Sequence, residues 1–148
     1  MKKNITFLLV ILITSTISAQ TGFSIGAGLG QRLIGQDTGT DLPQGLITYH
    51  LNEKLALSAV GSTAEIDADD ADFEYNFTKL ALQVNYDFSP FDSTRLESIF
   101  GFSYLMFDED LNLEDDNMFG LDFGFQSVFN ADKKFNYGIR VVSTFSAD

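Results

Sequence analysis

The chain has no cysteine, two prolines and one histidine, and its nine Lys and Arg stand against 21 Asp and Glu, for a formal net charge of −12. Without cysteine, no disulfide staples the fold and no thiol can carry a lipid anchor. A domain of modest size, which 148 residues allow, must then be held by a proper core or by a solvent other than water. The acidic balance excludes nucleic acid as a partner, because it repels phosphate instead of releasing counterions from it. Long apolar runs are missing too. The unbroken run Phe7 to Ile13 is far shorter than the roughly 20 residues of a membrane helix.

That run lies within "MKKNITFLLVILITSTISAQ", behind Lys2 and Lys3 and ahead of Ile17-Ser18-Ala19. A basic start, a short apolar centre and a small-residue end form the anatomy of a secretory signal peptide. The expected organisation is therefore a signal peptide over 1–19 and one exported domain over 20–148. Removing Lys2 and Lys3 leaves seven basic residues against 21 acidic ones in the exported part.

What is abundant is alternation. Beyond the signal, seven strand-like runs and no convincing helix follow: Phe23–Ile34, Leu46–Asn52, Leu55–Glu65, Phe77–Phe88, Arg95–Phe107, Phe119–Phe129 and Phe135–Phe145. In the fourth, Leu80, Leu82, Val84, Tyr86 and Phe88 share one face; Lys79, Ala81, Gln83, Asn85 and Asp87 share the other. In "FGLDFGFQSVF", Phe119, Leu121, Phe123, Phe125 and Phe129 alternate with Gly120, Asp122, Gly124, Gln126 and Val128. The second and third runs are weaker, because Leu46 and Val60 break the pattern. Pro43 and Pro90 fall outside the predicted strands, as a missing amide hydrogen requires.

Short connections (52–54, 89–94, 130–134) alternate with long ones (35–45, 66–76, 108–117). Antiparallel pairing of successive strands puts all short turns at one end and all long loops at the other. Glu65 and the acids of the long connections make up 14 of the 21 carboxylates, whereas Lys54, Arg95, Lys133 and Lys134 sit at or beside the short turns.

Alternation alone does not say which face is wet; volume does. The ring-bearing faces carry about thirty large or apolar side chains, about fourteen of them aromatic, counted by the two-residue period. A barrel of about eight strands has an interior only just wide enough for side chains to fill, and that load overfills it. The other face offers small residues such as Gly26, Gly28, Gly101, Ser103 and Gly138, with room among them for Arg32, His50, Lys79, Gln83, Glu97, Asp122, Gln126 and Arg140. The rings are therefore expected outside, against lipid, and the charges inside, where opposite signs neutralise one another. In hydrocarbon, strands span only as a closed barrel. The competing expectation is a secreted lipocalin-like barrel or a β-sandwich with its rings turned inward.

With "FSIGAGLG", "ITYHLNEKLALSAVG", "LALQVNYDF", "FNYGIRVVSTF" and a signal ending "ISAQ", the chain resembles the small Gram-negative outer-membrane β-barrel proteins, the group of OmpA transmembrane domains and OmpX-like proteins. The resemblance implies an all-β, antiparallel, up-and-down transmembrane barrel of eight strands with a packed lumen. It also implies residence in the outer membrane, contact with its lipid and lipopolysaccharide, and assembly by the barrel insertion machinery. Only seven runs are visible, which leaves two unpaired edges; a chain truncated before its eighth strand accounts for the odd count.

The chemistry on offer is sparse, and no cofactor and no enzymatic role are expected. Asp67, Asp69, Asp70, Asp72, Asp108 and Asp110 lie in acidic loops that offer weak oxygen ligands for divalent cations, but their spacing is not that of an EF-hand. Their ordinary role is a solvated, mutually repelling loop. Arg32, Lys79, Glu97, Asp122 and Arg140 form the expected lumen charge network, which either lines a narrow pore or zips the barrel shut. His50, paired with Ser58 or another hydroxyl, is the one opening for a hydrolase, and no nucleophile motif supports it. "GAGLG" is no phosphate loop, since no helix follows it.

Overall fold

The computed structural model describes residues 7–18, 22–34, 37–67, 74–90, 93–107 and 117–146. These form eight strands and no helix: β1 Phe7–Ser18, β2 Phe23–Ile34, β3 Asp37–His50, β4 Leu55–Asp67, β5 Glu74–Asp87, β6 Thr94–Phe107, β7 Asn117–Phe129 and β8 Phe135–Ser146. Every strand pairs antiparallel with its sequence neighbour, and β1 also pairs with β8, so the sheet is a closed up-and-down barrel. The sandwich expectation is thereby overturned: one sheet closes on itself and no edge remains among these strands.

Two features differ from the sequence expectation. The eighth strand comes from the segment with signal-peptide anatomy, so the ring is closed by residues 7–18 and no unpaired edge is left. The first long connection is not a loop. Strand β3 begins at Asp37 and carries Pro43 within it. Proline is tolerated there because the β3–β4 register shifts between Asp41 and Gly45, and the β2–β3 register between Gly28 and Gly30. The extra residue of such a bulge needs no ladder hydrogen bond. Glycine, threonine and aspartate mask this strand in the sequence. The remaining long connections shrink to 68–73 and 108–116, outside the described residues.

Alternation holds among the described side chains of β2 to β8, and its outward face is the greasy one. Phe119, Phe125, Leu82 and Phe102 are 77, 65, 71 and 63% exposed, while Lys79, Glu97, Asp122 and Arg140 are buried. Leu46 and Val60 do not break the period. They follow it inward and meet Ala81 in a small apolar cluster, because the lumen accepts aliphatic as well as polar residues. The outward rings pack on one another across strands: Phe23–Tyr49 and Phe88–Phe125 toward the short turns, Tyr104–Phe119 toward the loops, at centroid distances of 4.7, 6.4 and 5.0 Å.

The short turns are fixed by local hydrogen bonds. Asn52 Oδ1 accepts from the Lys54 and Leu55 amides, both at 2.9 Å, which closes the β3–β4 turn. Asp87 Oδ1 accepts from the Ser89 amide at 2.8 Å. Asn130, at φ 55°, supplies the left-handed residue of the β7–β8 turn, a conformation asparagine tolerates better than most residues.

Candidate functional site: the charged lumen

Lumen-facing positions on β5, β6 and β8 converge on Asp122, which is 0% exposed on β7. Its Oδ1 accepts from Lys79 Nζ at 2.8 Å, Thr144 Oγ1 at 2.7 Å and Ser103 Oγ at 3.0 Å; its Oδ2 accepts from Gln83 Nε2 at 2.5 Å. Lys79 Nζ also reaches Thr144 Oγ1 at 2.7 Å. These donors come from β5, β6 and β8, so one carboxylate ties three other strands across the interior. Gly120 keeps the space open: a Cβ there would meet the Thr144 methyl at 2.5 Å and Ser103 Oγ at 3.0 Å.

Arg140, on β8 and 1% exposed, extends the network toward the short turns. Its Nη1 donates to Gln126 Oε1 at 2.9 Å, and its Nη2 donates to Gln83 Oε1. Gln83 therefore bridges the two charge centres, donating to Asp122 and accepting from Arg140. Nearer the short turns, Asn85 Nδ2 donates to Glu97 Oε2 at 3.0 Å. Arg95 lies 3.8 Å from Asp87 and 4.0 Å from Glu97 with its side chain a third exposed, so these contacts add little.

The structure thus brings Lys79 and Asp122 together directly, links Arg140 to them through Gln83, and holds Glu97 in a neighbouring cluster. The Arg32 side chain lies outside the described residues. So do Asp69, Asp70, Asp72, Asp108 and Asp110 altogether, and the side chain of Asp67. Among the described residues no group of three or more metal-ligating side chains occurs.

Sequence reasoning did not single out Thr144, Ser103 and Asn85 as partners. Their inward parity was legible; which carboxylate each would meet depends on the register with the adjacent strand, whereas Lys79 and Gln83 reach Asp122 from two strands away. The hydroxyl near His50 is also a different one. Ser24 Oγ lies 3.3 Å from His50 Nε2, while Ser58 bonds Thr48 Oγ1 at 2.9 Å. The cavity beside them, lined by Ser24, His50, Asn85, Arg95 and Glu97 among others, measures about 20 Å3. That is room for one water molecule and too little for a substrate.

The fold and this interior define a class: a small closed antiparallel barrel, apolar outside and ionic inside. No protein-family model, curated protein or solved structure matches the chain.

Proposed function

We propose that this chain is a small outer-membrane barrel of the kind it resembles, exported by residues 1–19, with a structural or surface-interaction role and acidic loops held on the outer side. The observation that carries this reading is the inversion of the usual polarity. Among the described residues twenty-two large hydrophobic side chains are exposed, while a lysine, an arginine, an aspartate and a glutamate are buried. Water punishes such a surface, and acyl chains accept it. The partners that follow are outer-membrane lipid and lipopolysaccharide, the insertion machinery, and divalent cations at the acidic loops.

The interior favours a plug over a pore. Lys79, Asp122, Gln83 and Arg140, all outside residues 1–19, interlock across the lumen, and a barrel this small leaves no width for a water channel beside them. The same close packing leaves no substrate space beside Ser24 and His50, which speaks against a hydrolase.

The test is a charge placed on the wall. Leu82→Arg, on the outward face of β5, should destabilise the barrel in phospholipid vesicles by about 2–4 kcal/mol, read from urea unfolding. A change below about 0.5 kcal/mol, the ordinary size for a watered surface position, would overturn the membrane reading.

A further inference from the structure

The barrel is closed by the one segment whose sequence marks it for removal. Strand β1 runs antiparallel to both neighbours, from Leu8↔Ile34 to Ser18↔Ser24 on one side and from Phe7↔Phe145 to Ile17↔Phe135 on the other. On the β2 side, three alternate rows are glycine: Gly26, Gly28 and Gly30 stand opposite Thr16, Thr14 and Leu12. The wall there adds no side chain to the lumen. On the β8 side, Leu12 stands opposite Arg140. Both terminal nitrogens of Arg140 are engaged on β7 and β5, and its Nε–H, fully buried, has no acceptor. An unmet donor on a buried cation is expensive, and a leucine in its row has nothing to offer it.

We propose that the seam between β2 and β8 is a strand-acceptor site, in which residues 7–18 are a replaceable occupant. The occupant it fits is an extended peptide segment running antiparallel to both strands, with a carboxylate or carboxamide side chain in the row of Gly30 and Arg140. Main-chain pairing to β2 and β8 gives affinity, as in strand addition to any sheet edge, and the Arg140 row gives selectivity. This inference is independent of the solvent outside the barrel.

The full chain, carrying a specific protease site within residues 19–21, is folded in detergent micelles, cut, and incubated with fluorescent 12-residue peptides. One has the sequence of residues 7–18; the others carry Leu12→Gln or Leu12→Met. The Leu12→Gln peptide should displace the cut strand and be retained at least about tenfold better than either other peptide, the worth of a hydrogen bond to a charged group. That preference should vanish on a barrel with Arg140→Met. Should that variant not fold, the comparison of Gln and Met peptides on the unaltered barrel decides alone. Failure of any peptide to enter, or equal retention of the Gln and Met peptides, would overturn the proposal.

Discussion

Asp122 accepts four hydrogen bonds at zero exposure, so its value lies in what it leaves unmet when absent. Asp122→Ala takes the carboxylate away from the buried Lys79 ammonium, and loss of one partner of a buried pair costs about 3–5 kcal/mol. Urea titration should show that loss, and Lys79→Met in the same chain should restore part of it, because the charge that has lost its carboxylate goes with the lysine. Gly101 is a different kind of constraint. A Cβ there would collide with the Leu82 carbonyl and with Gln83, so Gly101→Ala must push β5 and β6 apart. A cost of about 1–3 kcal/mol is expected from the same titration, typical of overpacking. Both residues were visible in the sequence as inward positions. The identity of their contacts was not, because those contacts are made between strands that meet only on folding.

At the scale of the strand, the two-residue period carries nearly everything. The ends of β2 match the alternating run, and β4 to β8 differ from theirs by at most three residues at either end. The miss at β3 has a local cause: a bulge absorbs Pro43 and lets a strand run through residues whose composition reads as loop. The absence of native cysteine makes the period directly measurable. Single cysteines placed through 79–86 and labelled with a nitroxide should alternate in accessibility to lipid-dissolved oxygen. Positions 80, 82, 84 and 86, which are exposed, should be high; positions 79, 81, 83 and 85, which are buried, should be low. A flat profile would remove β5 from the wall.

At the scale of the molecule, an interior filled by interlocked side chains predicts an electrically silent barrel. Purified protein in planar bilayers should give no steady ion conductance, since the cavity at the short-turn end holds about 20 Å3. A stable open level would mean that the Lys79–Asp122 and Gln83–Arg140 contacts part in the membrane. The folded barrel should also run differently in electrophoresis before and after boiling, because closed β-structure that survives detergent is lost only on heating. One unchanged band would count against a closed barrel.

The sequence by itself determined the period, every strand except β1, the polarity of the two faces and the inward placement of Lys79, Glu97, Asp122 and Arg140. Each follows from counting by twos and from the volume a small barrel can hold. Only the tertiary structure decided how the ring closes, where β3 begins, and which polar groups meet. Closure pairs residue 7 with residue 145, and the Asp122 cluster gathers donors from positions 79, 83, 103 and 144. Such meetings are set by strand stagger and by the lean of side chains across a lumen, neither of which leaves a mark on the local pattern of residues.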